Sequence, residues 1–194
     1  MGIPELLASL EASSLAVSIR NSLYLFPLIE SAHVIGLAMV FGTIAIIDLR
    51  LLGIASTRRS FTRMASDIMK WTWAAFALTV TTGLLMFVTN AGVYYHNFYF
   101  RSKMAMLVLA GINVVIFDRT VFRSVHRWDK DAAAPAAGRT VAAVSLLIWI
   151  SIIFLGRWIG FTTTQTDLKT DTDVDIERLF PTAGDDAGHA KTPR

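Results

Sequence analysis

The chain has 194 residues, 54% of them hydrophobic and 17% charged, with a formal net charge of +3 and a mean hydropathy of +0.51. A soluble domain is about 45–50% apolar and about 25% charged, so this chain has too few charges to coat a water-facing surface. The composition excludes a typical soluble enzyme, a disordered chain and a nucleic-acid-binding module, and it points to an integral membrane protein. The absence of cysteine excludes disulfides, thiolate metal sites, iron–sulfur clusters and c-type haem attachment.

In chain order, Ile3, Leu6, Leu7 and Leu10 recur at helical spacing, which predicts a short amphipathic helix on the outer interface within an outer segment 1–22. Glu5 and Glu11 stand where a cleavable signal peptide would carry basic residues, so none is expected. A bilayer core needs about 20 apolar residues per helix. Four segments meet that length: 23–47, 71–95, 104–122 (interrupted by Asn113 and Asp118) and 141–161. Trp71, Trp73, Tyr94, Tyr95, Trp128 and Trp158 fall near span ends, where amphipathic rings favour the interface. The expected fold is an all-α integral membrane four-helix bundle over 23–161.

Basic residues orient it. The loop 48–70 carries Arg50, Arg58, Arg59, Arg63 and Lys70, and the loop 119–139 carries Arg119, Arg123, Arg127, Lys130 and Arg139. The positive-inside rule puts both loops in the cytoplasm and both termini outside. Within the first loop, Phe61, Met64 and Ile68 share a helical face, and Arg59, Arg63 and Lys70 lie nearby; that predicts anchoring to anionic lipid. The tail 162–194 holds seven acids (Asp167, Asp171, Asp173, Asp175, Glu177, Asp185 and Asp186) and reads as extended or disordered towards its end. Its Asp171-x-Asp173-x-Asp175 run lacks the glycine and the bidentate glutamate of a calcium loop, having Ile176 and Thr182 there.

Ionisable groups inside a span are costly and mark candidate sites. His33 lies ten residues into the first span, about 15 Å deep at 1.5 Å per residue, with Glu30 one turn before it. A neutral imidazole can ligate haem iron, hydrogen-bond a quinone or relay a proton. Glu30 would orient it or handle its proton. The competing reading is an imidazole that only fixes helix packing. Counted from Lys103, Asn113 is equally deep, and Thr81, Thr82 and Gly83 fall near the same plane. Gly36, Gly42 and Gly83 would make room for a ring ligand or for close helix packing. A haem on His33 would take Met86, Met106 or His96 as second ligand, or none; His126 and His189 lie at other depths. Lys103 would meet Glu30 or an anionic group. Imidazole and thioether ligands also suit Cu(I), although the seven methionines are scattered. Asp48, Arg50, Asp118 and Arg119 read as structural ion pairs near the inner face, Asp48 with Arg119 among them, and Arg157 as an outer anchor. No phosphate loop, nucleophile elbow or HExxH run appears.

The stretch SIRNSLYLFPLIESAHVIGLAMVFGTIAIIDLRLLGI, with GLLMFVTNAGVYYHNFYFRSKMAMLVLAGINVVIF, resembles a family of uncharacterised bacterial inner-membrane proteins. These have four predicted spans, an ExxHxxG motif in the first and DLRLLG at its end. The matching positions are Glu30, His33, Gly36, Asp48, Arg50, Lys103 and Asn113. More distantly, the organisation is similar to copper-resistance D and b-type cytochrome membrane proteins. The resemblance implies a multi-pass protein of the bacterial inner membrane. The leading expectation is a redox-associated protein binding haem b or a quinone at His33, with His33 the metal ligand if iron is bound. The alternatives are a non-enzymatic assembly or partner subunit, oligomeric or paired with a redox protein, and transport of copper or another small solute. Whether the chain is an enzyme stays open.

Overall fold

The computed structural model describes residues 2–55, 60–130 and 134–179, with side chains described as far as residue 162. The described residues form helices and connecting turns, with no strand. In chain order these are α1 (Ile3–Glu11), α2 (Ser14–Asn21), α3 (Leu25–Leu51), α4 (Phe61–Thr89), α5 (Ala91–His96), α6 (Phe98–Ile116) and α7 (Ala136–Leu179). A π-helical turn (Phe117–Val121) and a 3-10 turn (Phe122–Arg127) prolong α6. Four stretches are long and apolar enough to cross a membrane: Leu25–Leu51, Phe61–Thr89, Phe98–Arg127 and Ala136–Thr162. The chain is thus a four-helix bundle of membrane-protein type, as the composition requires.

α3 packs against α4 and α7, and α6 packs against α7. The mid-bundle core takes Val40 from α3, Ala75 from α4, Ala110 from α6, and Trp149 and Ile152 from α7. Small residues set the α3–α4 spacing: a Cβ on Gly36 would stand 2.6 Å from Thr79 Oγ1. This is the close approach that membrane helices use where lipid supplies no hydrophobic drive between them.

One end of the bundle is capped by α1, α2 and α5. Leu7, Ala16, Ile19 and Ala91 are buried there. Arg20 donates to the carbonyls of Thr89 and Glu11, while Glu11 Oε1 accepts the Gly92 N–H at 2.8 Å. A cation thus meets an unsatisfied carbonyl at the end of α4, and a carboxylate meets a free N–H at the start of α5. Ser13 starts α2 by accepting from Ala16 N at 3.3 Å. α2 was hidden from the hydropathy pattern, although Ser13 is its sequence signal.

The other end carries the basic loops. α3 does not stop at residue 47; it continues through Asp48 and Arg50 and closes with a Schellman turn, Gly53 N–H to Arg50 O (3.1 Å) and Ile54 N–H to Leu49 O (3.0 Å). Asp129 returns to cap α4: its carboxylate accepts Thr62 N–H at 2.7 Å and its carbonyl accepts Phe61 N–H at 3.0 Å. Arg50 is fully buried and donates to that same carbonyl at 3.4 Å. Leu51, Phe61, Ala65, Val121, Val125 and Trp128 fill the space around them. The face of Phe61 and Met64 therefore packs into protein and not onto lipid, because α4 begins ten residues before the apolar run that marked the span. Trp128 likewise is buried against Phe61 and is no interface anchor.

Two further boundaries differ from the hydropathy reading. Asn90, at φ −145° and ψ 52°, ends α4 at Thr89, so Tyr94 and Tyr95 belong to α5. Helix α7 runs on past the fourth span to Leu179, so the first half of the acidic tail is helical; the end of the tail, read as extended or disordered, lies outside the described residues. Propagation from an already formed span avoids the cost of nucleation. Arg58, Arg59, His189, Asp185, Asp186 and Thr182 lie outside the described residues.

Gly53 has φ 78°, the left-handed region that penalises any Cβ. Gly53→Ala is expected to destabilise the bundle by about 1–2 kcal/mol. Thermal unfolding in detergent should show a lowered midpoint with helix content retained. An unchanged midpoint would remove the Schellman turn from the account.

Candidate functional site

His33 faces α4. Its Nδ1 lies 3.0 Å from the carbonyl oxygen of Thr79 and 3.1 Å from Thr82 Oγ1. A carbonyl only accepts, so the proton sits on Nδ1 and is donated to Thr79. The Thr82 hydroxyl is itself donated to Leu78 O at 2.7 Å, which leaves its oxygen free to accept as well. In the neutral ring Nε2 is then a bare lone pair. Gly83 makes this fit possible: a Cβ there would stand 3.1 Å from His33 Cε1. The Nδ1–Cε1 edge is thus held against α4, and the Nε2–Cδ2 edge points away from it.

Lys103, on α6, lies within electrostatic reach of the imidazole. Its side chain crosses α7 at Gly156, where Nζ is 3.4 Å from the position a Cβ would take. Glu30 acts on a different partner, Tyr94. Burial first, and then the Glu30 carboxylate, push the Tyr94 hydroxyl above the usual tyrosine range. Tyr94 closes this end of the site with Phe87 and Phe100, ring centroids 5.5–6.4 Å apart. Beyond it Tyr99 packs on Trp158 and Arg157 lies 4.9 Å over the Phe161 ring, an aromatic and cationic girdle of the kind found at membrane interfaces.

Of the residues singled out in the sequence, the structure brings His33 together with Thr82 and Gly83, and sets Lys103 within electrostatic reach. It separates others. Glu30 is exposed and makes no hydrogen bond to His33; Thr79 and Thr82 orient the ring instead. Asn113 is not level with His33. Helix α6 starts at Phe98, capped by Asn97 Oδ1, which accepts from Tyr99 N (2.9 Å) and Phe100 N (3.2 Å). Asn113 is therefore about 22 Å along α6, against about 12 Å for His33 along α3, at 1.5 Å per residue. It donates to Val141 O at 3.2 Å, near the start of α7. Met86 is half-buried one turn beyond Gly83 on α4. Met106 packs on the mid-bundle core. His96 sits on the exposed side of α5 with Nδ1 2.9 Å from Gly92 O. Gly36 and Gly83 are close-packing positions, and Gly42 has open space before it.

The expected pairing of Asp48 with Arg119 is replaced. Asp48 is buried facing Ser145 of α7, whereas Asp118 and Arg119 are exposed on the π-helical turn. Thr79, Ser145 and Gly156 were not identified from sequence. Thr79 acts through its backbone and carries no side-chain signal. Ser145 and Gly156 lie in an apolar run where a small residue reads as packing.

Gly83→Ala is expected to push the imidazole off the Thr79 carbonyl, since a Cβ contact of 3.1 Å forces a shift of a few tenths of an ångström. The histidine ring resonances of His33 should move towards those of an imidazole without a backbone partner, with α4 still helical. Unshifted resonances would contradict the packing described.

Comparison with curated proteins finds no match, and comparison with solved structures finds none either. A family profile described as a family of unknown function, DUF6644, matches residues 21–162, from the end of α2 to the last residue of the fourth span, and so takes in the whole bundle and the His33 site. The chain belongs to the DUF6644 family.

Proposed function

We propose that this membrane protein binds a quinone headgroup between His33 and Lys103. The observation that carries the reading is the His33 Nδ1 contact with the Thr79 carbonyl at 3.0 Å. That bond fixes the tautomer and the ring plane, the arrangement by which proteins prepare the opposite nitrogen for a ligand. Nε2 is left as an acceptor for the hydroxyl proton of the reduced, quinol form of the headgroup. The Lys103 ammonium, for which no carboxylate partner is found among the described residues, is a donor for a ring carbonyl oxygen. A quinone supplies two-electron, two-proton chemistry when bound. The protein's part is to hold one proton acceptor and one cationic donor at fixed depth beneath the Tyr94 aromatic cluster. On the positive-inside reading of the basic loops, the proposed site lies in the half of the membrane away from the cytoplasm, and the bacterial inner membrane is part of the proposal.

Haem b fits these residues less well. A six-coordinate iron on Nε2 needs a second ligand from a helix other than α4, which already holds the Nδ1 edge. Met86 is on α4, and His96 lies on the exposed side of α5. For copper, no group of three or more metal-binding side chains (His, Cys, Asp or Glu) is found among the described residues.

The test is a titration of the detergent-purified protein with reduced short-chain ubiquinol and menaquinol analogues, read by tryptophan quenching. A lost hydrogen bond is worth about 0.5–1.5 kcal/mol between neutral groups and about 1.5–3 kcal/mol where one is charged, so His33→Ala should weaken binding severalfold and Lys103→Met about tenfold or more. Equal affinity in wild type and both variants would overturn the proposal. A Soret band that disappears in His33→Ala would replace the quinone by haem.

A further inference from the structure

The basic half of the bundle contains a second polar group that the His33 site does not use. Asp48 is 5% exposed, and its Oδ2 has no hydrogen-bond partner. A carboxylate left this way inside a membrane bundle carries a large desolvation cost. Its own element offers no relief. Arg50 is two residues on, about 200° round the helix at 3.6 residues per turn, and is directed to the Asp129 carbonyl. From α7, Ser145 faces it, 8% exposed and neutral, while Arg139 is exposed. From α4, Arg63, Asp67 and Lys70 are all exposed. From the α6 side, Asn113 is spent on Val141 O, one turn before Ser145, and Asp118 and Arg119 are exposed. None of these groups is hydrogen-bonded to Asp48 Oδ2.

We infer that Asp48 is a proton-binding site, its Oδ2 carrying an exchangeable proton with Ser145 as the hydroxyl neighbour. The occupant is a proton and not a metal cation because one carboxyl and one hydroxyl are too few oxygens for a sodium or calcium shell. No group of three or more metal-binding side chains is found among the described residues. A proton needs one acceptor atom, and Oδ2 is that atom. The site lies at the opposite end of the bundle from His33, beyond the Val40–Ala75–Trp149–Ile152 core. It stands whether or not a quinone binds at His33.

The experiment is infrared difference spectroscopy of the full chain in detergent across a pH series. A carboxylic-acid carbonyl band that remains above about pH 6, where exposed carboxyls are ionised, should disappear as the pH is raised further, shift in D2O, and be absent in Asp48→Asn, which keeps the side-chain shape. Ser145→Ala leaves the carboxyl in place and should shift the band, so the assignment holds even if Asp48→Asn fails to fold. The inference is overturned if the wild type shows no such band above about pH 6, if that band persists in a folded Asp48→Asn, or if sodium removes it at constant pH.

Discussion

A carbonyl oxygen cannot donate a hydrogen bond, and in this bundle that constraint decides what His33 is. The Thr79 carbonyl takes the Nδ1 proton at 3.0 Å, so the ring's other nitrogen is the chemically open one. The contact depends on α3 and α4 lying very close. Their closeness depends in turn on Gly36 against Thr79 and Gly83 against the imidazole itself. In a lipid setting, where packing and interhelical hydrogen bonds hold helices together, the same residues that bring the two helices together also create the site.

The ends of the bundle protect this arrangement by different means. At the capped end Arg20 and Glu11 join α1 and α2 to the end of α4 and the start of α5. At the basic end Arg50 and Asp129 tie the end of α3 to the beginning of α4. Both devices satisfy helix-terminal groups that would otherwise be bare. The antiparallel α3–α4 pair is thus fixed at both ends, and His33 crosses between its members in the capped half. Two polar groups at different depths, His33 and Asp48, are separated by an apolar core drawn from all four spans. That separation lets each be tested alone.

The four spans were legible because runs of apolar residues report directly on what the bilayer accepts. Their ends were less so. Arg50 looked like a loop residue, since a buried arginine is rare and its partner, the Asp129 carbonyl, is 79 residues away in the chain. Asn113 was misplaced because its depth was counted from Lys103, whereas the signal that starts α6 is the Asn97 cap. His33 stood out as an imidazole inside a span, and Thr82 and Gly83 were reached by depth matching. Glu30 was assigned to His33 on helical spacing alone, and spacing does not show that Tyr94 faces it from α5. The continuation of α7 into the acidic tail had no hydropathy signal, because composition does not register that a helix already under way propagates cheaply.

The central claim is the protonation pattern of His33. Nitrogen-15 NMR of the histidine-labelled protein, with His33→Ala to assign the signals, reads it directly at neutral pH. The account predicts a protonated Nδ1 and an unprotonated Nε2. A protonated Nε2 with a bare Nδ1 would contradict it, because the Thr79 carbonyl would then have nothing to accept.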